Sequence, residues 1–271
     1  MTTTIAVSGK GGVGKTTVSA LLVKYLKSMK KRNVLVIDAD PNSNLHDALG
    51  FKLEKTIGDI LEEIKEKTEK LEDLPAKMSK SEYISYQLEY IMHEGDGFDF
   101  LSMGRPEGPG CYCFINSVLR TAIDLLTKRY EYVIIDNEAG MEHFNRKTTQ
   151  KVDILLIVSD STVRGIKTAS NMKGLVKTLK LKVKNEYLIV NKLRIEDCGF
   201  RIEEKNTKKE ITEKTSTLEE EIKKSGLEVL AFLPEDEKIV KYDLEGKPII
   251  EIPEDSKVFK AFKTALDKIG I

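Results

Sequence analysis

From Gly9 to Thr16 the chain reads Gly-Lys-Gly-Gly-Val-Gly-Lys-Thr, which satisfies the pattern G-x-x-x-x-G-K-[ST]. Backbone N–H groups can wrap a polyphosphate closely only where side chains are absent, so Gly9, Gly11, Gly12 and Gly14, with Val13 among them, supply that access. Lys15 is expected to contact the β and γ phosphates, the Thr16 hydroxyl to ligate Mg, and Thr17 to touch the α phosphate. The strand Ile5-Ala6-Val7 runs into the loop and an amphipathic helix over 17–29 leaves it, so a helix amino terminus adds a favourable dipole for the anion. Lys10 is an extra lysine outside the minimal pattern.

Other strand ends carry groups that could complete such a site. Val34-Leu35-Val36-Ile37-Asp38-Ala39-Asp40-Pro41 closes a buried strand with two acids one residue apart, and at strand spacing both can face one crevice. Val133-Ile134-Ile135-Asp136 resembles a Walker B strand, with Asp136 holding Mg through water and 137–141 as a switch loop. Tyr187-Leu188-Ile189-Val190-Asn191-Lys192 ends a third strand, where Asn191 can pair with the donor and acceptor edge of adenine and Lys192 lies beside it. Guanine readers of this class use N-K-x-D, but the fourth position here is Arg194, which favours ATP over GTP. Leu233, Pro234 and Glu235 follow the next strand and are expected to pack around the adenine.

A different chemistry is offered by Cys111-Tyr112-Cys113, which follows Gly104-Arg105-Pro106-Glu107-Gly108-Pro109-Gly110. Residues 114–128 read as a helix, so both thiols lie near an amino terminus whose dipole favours thiolate. Thiolates bind soft or borderline metals, and a closed Zn site or a square-planar Ni site wants four ligands where one pair supplies two. A two-fold dimer would supply Cys111 and Cys113 twice. Cys198 is remote and reads as an incidental thiol, while His46, His93 and His143 lack ligand-like spacing.

The elements that must position these groups alternate along the chain. Short β-rich runs at 3–8, 33–38, 98–103, 132–136, 153–159, 186–191 and 227–233 are separated by helical segments, and several are continuous apolar stretches such as Ile154-Leu155-Leu156-Ile157-Val158. That pattern predicts a doubly wound α/β fold: a mainly parallel sheet of about seven strands, flanked by helices, in a single domain over 1–271. Charged insertions at about 65–97 and 195–226, rich in Glu and Lys at helical spacing, read as solvated helical faces. Near the carboxyl end Val258, Phe259, Phe262, Leu266 and Ile269 share one helical stripe, read as core-packing rather than membrane-targeting. Lys+Arg and Asp+Glu both number 44, so no global basic field argues for nucleic acid or an anionic membrane. With no secretory signal and no apolar run near the ~20 residues that span a bilayer, a cytoplasmic protein is expected.

Lys-Gly-Gly-Val-Gly-Lys-Thr-Thr, from Lys10 to Thr17, resembles the deviant Walker A of the family containing MinD, ParA, ArsA and nitrogenase iron protein. That resemblance implies that Lys10 reaches across a homodimer to the partner's phosphates. It also implies that Asp40 is the switch I carboxylate, which orients or deprotonates the attacking water, and that Asp38 holds Mg through water. Lys10, Lys15 and Asp40 would then be the catalytic set. G-R-P-E-G-P-G-C-Y-C from Gly104 to Cys113 goes further, together with D-N-E-A-G-M-E-H from Asp136 to His143 and D-A-D-P-N-S-N-L from Asp38 to Leu45. These segments are similar to the CooC family of accessory ATPases for nickel insertion into carbon monoxide dehydrogenase, with relatives that mature acetyl-CoA synthase. The implied protein is an ATP- and Mg-dependent metallochaperone carrying Ni or Zn on Cys111 and Cys113 to a client nickel enzyme. A MinD- or ParA-like positioning switch would instead need a membrane-binding tail or a DNA-binding patch. An iron-sulfur reductase would need cysteines from well-separated loops, and switch II has none.

Overall fold

The computed structural model describes residues 2–30, 33–42, 44–69, 78–104, 121, 123–138, 151–179, 181–193 and 213–271. Its strands are β1 (Thr3–Gly9), β2 (Val34–Asp38), β3 (His93–Glu94), β4 (Asp99–Ser102), β5 (Tyr132–Asp136), β6 (Lys151–Asp160), β7 (Lys182–Leu193) and β8 (Glu228–Pro234). They form one eight-stranded sheet in the order β3-β4-β2-β5-β1-β6-β7-β8. All pairings are parallel except β3 with β4. The seven expected strands are therefore present, and an eighth, antiparallel edge strand joins them. Two residues are too few to carry an alternating pattern, so β3 leaves no periodic signal in the sequence.

Apolar runs become parallel strands here because both faces are covered. Successive residues serve opposite layers: Leu35 and Ile37 of β2 belong to one core, Val34 and Val36 to the other. Helices α1 (Lys15–Ser28), α2 (Leu45–Leu49), α7 (Glu237–Leu244) and α8 (Lys257–Lys268) lie on the second side, with a 3₁₀ turn at Ile249–Glu251. The first side is covered by α3 (Ile57–Glu69), α4 (Lys80–Ile91), helical residues 123–127, α5 (Val163–Thr178) and α6 (Glu213–Ser225).

Both charged insertions contain helices with a solvated face, and each also buries an apolar row on the opposite side. In the first, α4 starts at a Ser79–Glu82 capping box and buries Tyr83, Ile84 and Leu88. In the second, α6 buries Leu218 and Ile222. A Lys- and Glu-rich helix needs only one apolar row per turn to reach a core, and that row is diluted in composition by the wet face.

The last helix packs as its stripe indicates. Val258, Phe259, Phe262 and Leu266 are buried in the second core, and Ile269 is half-buried against it. No helix among the described residues is long and apolar enough to cross a membrane. Truncating the fully buried Phe262 to Ala should lower the unfolding free energy by about 3–5 kcal/mol in urea titrations. A change below ~1 kcal/mol would mean that the helix leaves the core in solution.

Candidate nucleotide site

Strand register brings the acids together. In β2 and β5, adjacent in the sheet, Asp38 is directly paired with Asp136, and Asp136 is in turn opposite Val7 of β1. Both carboxylates are buried. The ladder continues past the strand ends, because Ala39 N donates to the Asp136 carbonyl at 2.8 Å, Met103 N to the Asp38 carbonyl at 2.8 Å, and Asn137 N to the Val7 carbonyl at 3.0 Å. Asn137 adds a side-chain bond from Nδ2 to the same Val7 oxygen at 3.0 Å, which pins the chain just after β5 to the strand that feeds the P-loop.

Burial raises the pKa of Asp38 to about 7, and the neighbouring Asp136 charge pushes the same way. Backbone N–H groups of Leu45 and Asp40, each at 3.1 Å, pull against that rise. Asp136 is raised to about 6 by burial, opposed by the Thr16 hydroxyl and by the Lys15 charge. Ser19 is a residue the sequence reading passes over; its Oγ is buried with no hydrogen-bond partner among the described residues, and its signal is the three-residue spacing from Thr16, which puts both hydroxyls on one face of α1. Asp40 is half-buried, and its Oδ1 accepts from Asn42 N at 2.9 Å.

The P-loop residues stand between β1 and α1. Gly14 caps α1 in a left-handed conformation (φ 92) and gives no side-chain cap, so the first turn of the helix keeps donors for an anion. Lys15 is buried, Thr16 and Thr17 are half-buried, and Lys10, Gly11 and Gly12 are exposed. Gly9 answers a packing demand as well as an access one: a Cβ there would lie 2.4 Å from the Val158 carbonyl of β6.

The sequence reading sets Asn191 on the adenine edge with Lys192 beside it; in the structure both side chains reach the backbone of the P-loop. Asn191 Nδ2 donates to the Val13 carbonyl at 2.8 Å and Lys192 Nζ to the Gly12 carbonyl at 2.9 Å. Leu233 is fully buried in the core, Pro234 is half-buried and Glu235 is exposed. Asp236, which has no motif to announce it, fixes the chain just after them: its carboxylate accepts from Ser256 Oγ at 2.7 Å, Lys238 N at 2.9 Å and Val258 N at 3.1 Å. Burial pushes its pKa up, yet these bonds outweigh that and leave it lowered. Cys111, Cys113, Cys198, His143 and Arg194 lie outside the described residues.

A Thr hydroxyl with two carboxylates is a hard oxygen donor set of the kind Mg takes. Asp136 Oδ1 is buried and has no hydrogen-bond partner among the described residues, so the acids present fit a divalent cation beside the loop.

A β-strand, a glycine loop closing on a helix amino terminus, and acids on the neighbouring strand ends define a P-loop nucleotide-binding domain. Residues 4–249 match the CobQ/CobB/MinD/ParA nucleotide binding domain family, and the chain belongs to it. It is 42% identical over 265 residues to an uncharacterized ATP-binding protein of Methanocaldococcus jannaschii, covering 98% of this chain and 97% of that one. It is 37% identical over 205 residues to the carbon monoxide dehydrogenase accessory protein CooC of Rhodospirillum rubrum, covering 72% of this chain and 77% of that one. Its fold is similar to the septum site-determining protein MinD of Pyrococcus horikoshii, solved in complex with Mg-ADP. That likeness has a TM-score of 0.67 at 22% identity, over 100% of this chain and 96% of that one.

The raised carboxylates make a signed prediction for the nucleotide-free protein. Between about pH 4, where an unfolded Asp loses its proton, and about pH 7, the folded state keeps protons that the unfolded state has released. Stability from this source is full below that window and lost as pH rises through it, a fall on the order of 2 kcal/mol between pH 5 and pH 8. Asp38→Asn and Asp136→Asn should each flatten the urea-unfolding profile over that range. An unaltered pH slope in both variants would contradict the assignment.

Proposed function

We propose that the protein is an Mg-dependent ATPase that works as a homodimer and carries Ni or Zn on Cys111 and Cys113 of both subunits. The cargo is delivered to a client nickel enzyme, carbon monoxide dehydrogenase or acetyl-CoA synthase, in the cytoplasm. Supporting this reading are the membership of the family, the 37% identity to CooC and the C-x-C sequence. The observation that carries it is that identity to CooC, which spans 72% of this chain; the bond from Met103 N to the Asp38 carbonyl adds that β4, whose chain runs on to Cys111, ends beside the strand that bears the acids.

In the proposed reaction a water attacks the γ-phosphorus, the bond to the β,γ-bridging oxygen breaks, and ADP and phosphate leave. Asp40 orients the water and accepts its proton. Lys15 and the loop N–H groups hold the phosphates, while Lys10 of the partner subunit stabilises charge on the leaving oxygen. Thr16, Asp38 and Asp136 would hold Mg, the two acids through water; when bound, it neutralises charge on the β and γ oxygens. Pro234 and Glu235 would flank the base with Leu233 supporting them from the core, and Asn191 and Lys192 would join the nucleotide site from the loop side. Loss of the γ-phosphate releases the dimer contacts, and metal bound by four thiolates passes to the client.

Two experiments test this. Replacing Cys111 and Cys113 together by Ser should abolish stoichiometric nickel or zinc binding and leave ATP affinity unchanged; full metal occupancy in that variant would end the metallochaperone reading. Lys10→Ala should lower the hydrolysis rate by about 100-fold or more, with nucleotide affinity of the monomer changed little. A wild-type rate would remove the contact in trans.

A further inference from the structure

Strand β7 loses register with β8 between Val190 and Leu193, and within this irregularity Lys192 adopts φ 55. That left-handed conformation is uncommon for a residue with a side chain. In an unbroken strand Asn191 and Lys192 would point to opposite faces; the irregularity lets both reach the same loop. The carbonyls they hold, Val13 and Gly12, are consecutive.

The consequence follows from peptide geometry. In a trans peptide the C=O and the next residue's N–H point in opposite directions, and no cis peptide occurs among the described residues. Donors on the Gly12 and Val13 oxygens therefore turn the N–H groups of Val13 and Gly14 away from β7, as successive donors able to line an anion cradle. Asn191 sits so close that a Cβ on Gly14 would lie 2.4 Å from its Nδ2. Gly14 is also where the loop becomes α1, its carbonyl accepting from Val18 N at 3.0 Å.

We propose that Asn191 and Lys192 form a clamp that fixes two successive P-loop peptides in the phosphate-binding orientation before nucleotide arrives. The pair then sets affinity for the polyphosphate chain, whatever base is attached. This rests on the reading of the loop as a triphosphate site, and it gives Asn191 a positioning role distinct from reading adenine.

Calorimetry on the full chain with Mg-ATP, Mg-GTP and Mg-tripolyphosphate separates the possibilities. Asn191→Ala and Lys192→Met should each weaken all three ligands by the same factor, about five- to tenfold, leaving the ATP-to-GTP ratio as in the wild type. The double variant should lose less than the product of the single losses, because the two donors act on one loop. For Lys192→Met the loss should persist at 0.5 M salt, where simple attraction by an exposed cation is screened to about 4 Å or less. In steady state the variants should raise KM for ATP and leave kcat near the wild-type value, and both should keep the wild-type circular-dichroism spectrum without ligand. Asn191→Ala weakening ATP while sparing tripolyphosphate would overturn the clamp in favour of base reading. Wild-type protein that binds none of the three ligands would instead bring down the triphosphate site itself, and the clamp with it.

Discussion

Two carboxylates buried side by side, Asp38 and Asp136, set the terms on which this end of the sheet can exist. Neighbouring strands in a sheet are only about 4.8 Å apart, so two ionised acids in register repel strongly at low dielectric. The protein answers locally with Lys15, the hydroxyl of Thr16, and backbone donors from Asp40 and Leu45. These do not restore the ordinary acidity of either group. What remains is a standing demand for positive charge, placed beside a glycine loop built to hold anions. A cation that arrives with its own polyphosphate meets both demands, which ties the stability of the strand ends to occupancy of the site.

Asp38 is also a structural fork. Its side chain accepts from Leu45 N, the first residue of α2, and from Asp40 N, while its carbonyl accepts from Met103 N. One residue thereby holds the acid-bearing loop after β2, the start of α2 and the end of β4. Just beyond, Gly104 turns with φ 57, and a Cβ there would lie 2.2 Å from Thr56 Oγ1. Thr56 belongs in turn to a mutual cap with Asp59 at the start of α3. A change in charge at Asp38 thus acts on three connections at once, through hydrogen bonds and close packing rather than through distance.

What could be read from the sequence follows the strength of each local signal. Seven strands are legible because parallel strands covered on both faces are written as apolar runs, and β5 has the bounds that its run over 132–136 indicates. β3 depends on its neighbour β4 for its existence, so nothing in His93-Glu94 alone marks it. In α6 the exposed Glu220, Lys223 and Lys224 outnumber the buried Leu218 and Ile222, and in α4 the buried row of Tyr83, Ile84 and Leu88 is interleaved with exposed Glu82, Tyr86, Glu89 and Tyr90, so composition does not single out either row. The P-loop and strand-end acids are legible in kind and place, since their spacing is imposed by chemistry. The partners of Asn191 and Lys192 are not, because they arise from a break in register between two strands some forty residues apart. Asp236 is hidden for a related reason: its partners Ser256 and Val258 are brought to it by the packing of the last helix.

The glycines of the loop show how closely the site is bound to the sheet beneath it. If phosphate access were their only purpose, each would look outward into open space. Gly12 does so, with φ 79 and nothing near its missing side chain. Gly9 instead abuts the backbone of β6, and Gly14 abuts the side chain of Asn191 from β7. Two positions of the motif are therefore constrained by strands that never touch a nucleotide phosphate in the proposed arrangement. The pattern G-x-x-x-x-G-K-[ST] records the fit of a loop into a doubly wound sheet as much as the fit of a phosphate into the loop, which is why the strand before it and the helix after it carry as much information as the glycines.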